Sequence, residues 1–295
     1  MRVCLLCGLG LEGTAWTCRR CGWSAVEREG IAVFEEARQA RGVNFSPSEF
    51  ETLYALEQSY FWFRARTRLI LWAFGRYASG CSSFLEIGCG TGAVLSAITQ
   101  AHPDVAVWGS EAHLEGLQFA RTRVGPARLL QMDARRLPFV EEFGAIGLFD
   151  VLEHIEEEQL VLSQVNRALV PRGLLLITVP QHRFLWSPAD THAGHVRRYQ
   201  RSQLIRSVEQ ANFRVLKCTS FVAILFPLLL ISRLLRKRRE YDALAEYHIS
   251  SVVNKLLGLI LDAERTVVRA GVTLPFGGSL LLVARRAEAG ARIAC

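Results

Sequence analysis

Between an apolar run, Phe84-Leu85-Glu86-Ile87, and an amphipathic stretch beginning near Ala93, the chain places three glycines in five residues, Gly88-Cys89-Gly90-Thr91-Gly92. Glycines at that spacing let the backbone turn tightly from a strand into a helix and lie close to a ligand. The unit then repeats without the glycines. Short apolar runs at Val105 to Gly109, Arg128 to Met132, Ala145 to Phe149 and Leu174 to Val179 alternate with longer amphipathic ones. That is the pattern of βαβ units around a parallel sheet. Pro171-Arg172-Gly173 is read as the turn into the fifth run, and Pro180 closes it. A helix from Arg201 to Asn212, a strand from Phe213 to Lys217, a helical insertion over about 221–270 and a last strand from Ser279 to Ala284 complete the expectation. The predicted fold class is α/β, a doubly wound, seven-stranded, mostly parallel sheet.

The glycine loop alone leaves its ligand open. Gly88, Gly90 and Ala93 satisfy the G-x-G-x-x-G/A dinucleotide fingerprint, and Glu111 lies 23 residues beyond Gly88, near where that fingerprint expects a ribose-binding acid. The neighbouring charges discriminate. Glu86 sits just before the glycines, where it would repel a pyrophosphate but could hold a cationic ammonium or its waters. Glu111, Asp133 and Asp150 fall at successive strand ends. In a doubly wound sheet these ends line one crevice at the switch in strand order. An acidic rim suits a sulfonium amino acid, S-adenosylmethionine, better than a dinucleotide.

The run Phe84 to Gly92 resembles motif I of class I S-adenosylmethionine-dependent methyltransferases, whose fold is Rossmann-like. Gln131 to Phe139 is similar to the third motif of that family, and Phe149-Asp150-Val151-Leu152-Glu153-His154-Ile155 to the fourth. An aromatic entry, Tyr60 to Arg66, and a terminal stretch, Pro275 to Leu281, extend the resemblance over about residues 55–285. The resemblance implies that Glu111 binds the ribose hydroxyls, that Asp133 and Ala134 contact the adenine, and that Gly88 and Gly90 approach the amino-acid moiety with Asp150 beside it. It also implies an antiparallel last strand. Gly144 departs from the pattern, standing where many members have an Asp, which puts the stability of the fourth strand in question.

Cys4-x2-Cys7 and Cys18-x2-Cys21, ten residues apart, form a Cys4 zinc pattern, with Gly8 and Gly22 after each pair favouring tight knuckles. Four protein ligands make a closed, structural site. Domain boundaries follow: a zinc ribbon over 1–30, a helical, aromatic-rich entry over 31–80 that includes Phe45, and a methyltransferase domain over 81–290. Cys81, Cys89, Cys218 and Cys295 are scattered, so the cysteines do not read as a disulfide framework, and with no leader pattern at Met1 the expected compartment is the cytoplasm.

For the chemistry, His182 and His195 fall in the segment after the fifth strand, and His154 follows the fourth. One of these could take a proton from the acceptor, with Arg197, Arg198 and Tyr199 of a "GH.RRY" stretch shaping its pocket. Alternatively they cap and tie down the loop. That stretch is similar to one in bacterial relatives associated with glycan or lipid pathways. Asp150-x-x-Glu153-His154 resembles a metal-binding cluster of some quinone-pathway O-methyltransferases, although the metal-free use of this motif is the favoured expectation. The net charge of +7 and the run Phe221 to Ile231 followed by Arg233 and Arg236-Lys237-Arg238-Arg239 allow a peripheral membrane contact at 221–239. Three functions stay open: methylation of a small-molecule, sugar or lipid-linked acceptor; methylation of RNA, because ribosomal-RNA guanine methyltransferases also carry an N-terminal zinc unit; and an inert zinc-ribbon binding protein.

Overall fold

The computed structural model describes residues 1–13, 16–34, 47–124, 128–236 and 249–288. Phe45, Lys237, Arg238, Arg239 and Cys295 lie outside them. The strands are β1 (Val26–Arg28), β2 (Ile31–Val33), β3 (Ser83–Ile87), β4 (Ala106–Glu111), β5 (Arg128–Gln131), β6 (Phe143–Phe149), β7 (Leu169–Pro180), β8 (Phe213–Phe221) and β9 (Ser279–Arg286). They form one sheet in the order β1-β2-β5-β4-β3-β6-β7-β9-β8. Pairing is parallel from β2 through β7, while β9 inserts antiparallel between β7 and β8.

Two strands therefore exceed the seven expected. They come from 26–33, which the sequence reading divided between the ribbon and a helical entry. Ile31-Ala32-Val33 is too short a run to stand out by periodicity. Its pairing with Leu130 and Gln131 of β5 is a long-range contact that caps an otherwise open sheet edge. The strand after the seventh helix also runs longer than expected, to Phe221. The helical insertion accordingly starts at α8 (Phe226–Arg236), with Pro227 in its first turn, where a missing N–H costs nothing, rather than as a kink.

The remaining helices are α1 (Pro47–Ser59), α2 (Phe61–Tyr77), α3 (Ala93–Ala101), α4 (Leu114–Arg123), α5 (Glu158–Ala168), α6 (Pro188–His192), α7 (Arg201–Gln210) and α9 (Ser251–Arg269). Leu174 through Val179 of β7 are all buried, as a strand covered on both faces requires. One face of the sheet packs against Leu69, Ile70 and Phe74 of α2, Leu95 and Ile98 of α3, Leu117 of α4, and Leu261 and Val268 of α9. The other packs against Val161, Leu162 and Val165 of α5, Leu204 and Val208 of α7, and the N-terminal unit through Leu5, Trp16 and Trp23. Gly144 fits its place: a Cβ there would stand 2.9 Å from that of Cys81. Strand β6 keeps both neighbours, with an irregularity between Phe143 and Ala145. Strand order reverses at β3, which opens the crevice at the carboxyl ends of β3, β4 and β6.

Candidate active site

The crevice is built on the glycine loop leaving β3. Gly88, Gly90 and Gly92 all have positive φ, at 69°, 52° and 80°. A Cβ on Gly88 would collide with Val151 Cγ2 at 2.5 Å, whereas one on Gly90 would meet nothing within 4 Å. Gly88 is thus required by close packing, and Gly90 leaves open space over the loop. Glu86, the fourth residue of β3, is buried, and its Oε2 has no hydrogen-bond partner among the described residues. Burial pushes its carboxyl well above the usual range, and Glu57 and Glu111 add to the rise against the opposing Arg66. Glu111, ending β4, accepts from Gly90 N at 3.0 Å through Oε2, and from Ala112 N at 2.8 Å and His113 N at 3.2 Å through Oε1. That uses three of about four lone-pair sites of a carboxylate.

Contacts from outside the glycine loop complete the crevice. Arg66 of α2 pairs with Asp150 at 2.6 Å and donates to the Phe149 carbonyl at 2.9 Å. Asp150 itself sits at φ 58° and accepts from Thr178 Oγ1 at 3.3 Å. Glu57 of α1 bonds both Thr91 and Arg123, while Arg123 reaches the Tyr54 carbonyl at 2.6 Å and lies 3.9 Å over the Tyr54 ring. The aromatic entry therefore straps the glycine loop from outside. Arg66 closes the aromatic entry motif, whereas Glu57 and Arg123 carry no signature in the sequence. Asp133 accepts from the Arg135 backbone at 2.8 Å and from its guanidinium at 2.6–3.0 Å, with Ala134 between them. Burial alone would raise Asp133, but these bonds hold it below the ordinary carboxylate range.

Beyond the crevice the structure brings together two of the three nominated histidines. The rings of His154 and His195 meet edge to face, 4.7 Å between centroids. Burial, with His195 alongside, lowers His154 to about 4, so it is neutral in ordinary buffers. His195 Nδ1 lies 2.8 Å from Asp190 Oδ1, and Asp190, 1% exposed, takes two bonds from Arg198 and two from Ser187. His182 is elsewhere. It stacks between Phe184 and Phe276, beside Phe226, and lines a cavity of about 720 Å³ with Gln181, Gln200 and Arg201. Arg197 and Tyr199 both bond Glu158, at 3.0 and 2.6 Å, and the Tyr199 ring is fully buried. They tie the loop to α5.

At the other end of the sheet Cys4, Cys7, Cys18 and Cys21 form one cluster of free thiols. Cys4 and Cys21 sulfurs are 3.6 Å apart and those of Cys7 and Cys18 3.5 Å, close to the roughly 3.8 Å edge of a tetrahedron of 2.3 Å zinc–sulfur bonds. The unit docks on its own domain: Val3 N donates to Pro138 at 2.9 Å, Val140 N to Met1 at 2.9 Å, and the Arg2 guanidinium lies between Trp16 and Trp108.

A family model described as a methyltransferase domain matches residues 54–217. The chain belongs to that methyltransferase-domain family. Among curated proteins, the methyltransferase-domain chain is 26% identical over 209 residues to the biotin biosynthesis bifunctional protein BioHC of Teredinibacter turnerae, covering 64% of this chain but only 35% of that protein. Among solved structures it is similar to phosphoethanolamine N-methyltransferase 2 of Haemonchus contortus in complex with S-adenosyl-L-methionine (TM-score 0.56, 14% identity, 86% of this chain and 60% of that one). It is also similar to the [4+2]-cyclase SpnF (TM-score 0.53, 19% identity, 77% and 84%). A shared fold therefore spans different chemistries, and the reaction must be argued from the site. Among the described residues no helix is long and apolar enough to cross a membrane.

Proposed function

We propose that this protein transfers a methyl group from S-adenosylmethionine to an oxygen or nitrogen of a small-molecule, sugar or lipid-linked acceptor. One observation carries the reading: Glu86 is a buried carboxylate with an unpartnered oxygen beneath a glycine loop that is open above Gly90. Such an acid is stabilised by a cation, and the ammonium of a sulfonium amino acid is one. Bound there, S-adenosylmethionine supplies a methyl carbon already activated by positive sulfur. The chain's task is then positioning. Gly88 and Gly90 border the amino-acid moiety, the remaining lone pair of Glu111 accepts a ribose hydroxyl, and Asp133 with Ala134 flanks the adenine. Arg66 fixes Asp150 beside the amino-acid end. The acceptor faces the histidine group, where Asp190 orients His195 beside His154. Cys4, Cys7, Cys18 and Cys21 would hold one structural zinc.

A lipid-linked acceptor and a cytoplasmic protein touching the inner face of the membrane fit a second observation. Phe184 and Phe276 are 60% and 61% exposed around His182. Leu228 and Ile231 of α8 and Val252, Leu256 and Leu259 of α9 are also exposed, at three- and four-residue spacings. Apolar helix faces of this kind lie in membrane interfaces. Calorimetry with S-adenosylmethionine tests the cofactor: tight binding lost on Glu86→Gln supports it, and no binding to the wild type sinks it, leaving the inert binding protein. Methyl-labelled cofactor with fractionated extract then sorts acceptors. Label in lipids or small metabolites supports the proposal, and label in RNA replaces it with the RNA-modifying reading.

A further inference from the structure

Glu153, His154 and His195 form a group that nothing else in the described fold completes. Glu153 is 0% exposed and, among the described residues, neither carboxylate oxygen has a hydrogen-bond partner; His154 Nδ1 is likewise buried and unpartnered there. A carboxylate so placed must take up a proton or a cation. The neighbouring guanidiniums are engaged elsewhere: Arg66 with Asp150 and the Phe149 carbonyl, Arg197 with Glu158, Arg198 with Asp190 and the Gln181 carbonyl. One potential ligand atom from each of the three residues lies within 4.8 Å of the other two. A point within about 2.8 Å of all three therefore exists (4.8 Å divided by √3). Shifts of well under 1 Å would reach the roughly 2.0–2.2 Å of nitrogen and oxygen ligands.

His195 is prepared for the task. Its Nδ1 faces Asp190 Oδ1 at 2.8 Å, which assigns the proton to Nδ1 and the lone pair to Nε2. Asp190 is in turn fixed by Arg198 and Ser187. A carboxylate behind an imidazole in this way orients metal-ligating histidines and raises their basicity. Asp150, the acid that a local reading of Asp150-x-x-Glu153-His154 would enlist, is paired with Arg66.

We infer that Glu153, His154 and His195 bind one divalent first-row transition-metal ion. Two imidazoles and one carboxylate suit zinc-class ions, and three protein ligands leave a coordination position free, as in catalytic rather than structural sites. Resting on the methyl-transfer proposal, that position would take the acceptor's oxygen, polarise it and lower its pKa before the methyl group arrives. The O–H proton would go to water, the new O–CH3 bond replacing the S–CH3 bond.

The test uses the full chain and Co2+ as probe. The Cys4 cluster should take one equivalent with intense thiolate-to-cobalt charge-transfer absorption. A second equivalent should bind without that band and weaken at least tenfold in both Glu153→Gln and His195→Ala, while the thiolate band is unchanged. The second variant guards against misfolding of the first, because the His195 side chain is partly exposed. A single, thiolate-bound equivalent in the wild type overturns the inference, and so does a second equivalent that survives both substitutions. S-adenosylmethionine calorimetry on the same samples before cobalt loading reports on the methyltransferase reading separately.

Discussion

Replacing Glu111 separates cofactor recognition from loop anchoring. In the sequence alone Glu111→Ala looks like a binding-only change that leaves the fold intact. The structure makes it more than that, because both carboxylate oxygens accept backbone N–H groups of Gly90, Ala112 and His113. Hydrogen bonds to a charged group contribute about 1.5–3 kcal/mol each, and an N–H left unpaired carries its own desolvation cost. Loss of the ribose contact alone weakens S-adenosylmethionine by at least about tenfold, or about 1.4 kcal/mol. Loosening the loop should also destabilise the apo protein by about 2 kcal/mol, a fall in Tm of about 4–8 °C for a domain of this size. Glu111→Gln keeps one acceptor oxygen, so it should recover most of the Tm but less of the affinity. Calorimetry and differential scanning on the three proteins resolve the two effects. If Glu111→Ala bound S-adenosylmethionine as the wild type does, the crevice assignment would be wrong. If it bound weakly at an unchanged Tm, the anchoring argument would be.

Three further outcomes are expected. Chelation of the Cys4 cluster should unfold about the first 30 residues. Because Trp16 and Trp23 pack on Phe34 at 4.6 and 5.9 Å between centroids, their fluorescence should report it, and a chelator-insensitive spectrum would count against a structural zinc. Asp190→Asn should flatten acid unfolding: burial raises the Asp190 pKa but bonds from His195 and Arg198 outweigh it and hold it below the usual range. Its contribution is then fully present above about pH 4 and is lost as pH falls through the depressed folded value. An unaltered acid limb in the variant would show that this ion pair does not matter. Flotation with anionic liposomes should occur, reverse with salt, and be lost on Leu228→Glu with Leu256→Glu or when Arg236 to Arg239 are neutralised. Protein that stays soluble at low salt with every lipid tested rules out the membrane contact.

What was legible in the sequence was what local chemistry dictates. Glycines that must turn a strand into a helix named themselves: Gly88 has no room for a Cβ, and the chain order of strands and helices from β3 to β9 follows the runs, although β7 starts at Leu169, ahead of the Pro171-Arg172-Gly173 stretch expected to precede it, and β8 runs on to Phe221. The carboxylates at strand ends were legible for the same reason, since Glu86 and Glu111 occupy fixed offsets from the loop. The short strand β2 was not, because three residues define no periodicity and β5, which ties it to the parallel sheet, lies about a hundred residues on. The start of the helical insertion was not legible either: Phe221 ends β8 and α8 opens at Phe226, with Pro227 one residue inside, where proline is tolerated.

The acceptor side shows the same limit more sharply. The local motif offered Asp150, Glu153 and His154 as a group, spaced as if on one turn. In space Arg66, from a helix 80-odd residues earlier, takes Asp150, and the loop after β7 brings His195 to His154 instead. A charged side chain satisfies whichever partner the fold brings within reach, so spacing along the chain ranks candidates but cannot assign them. His182 and His195, thirteen residues apart in one loop, illustrate the converse. One is set among aromatic rings at the open cavity and the other against a buried Asp–Arg pair. The first environment depresses the charged form through burial and Arg198, while the second fixes a tautomer. Sequence could nominate both histidines equally. The two surroundings suit them to different work in the proposed reaction: His182 would line the mouth through which an acceptor enters, and His195, held by Asp190, would stand with Glu153 and His154 at the acceptor's oxygen.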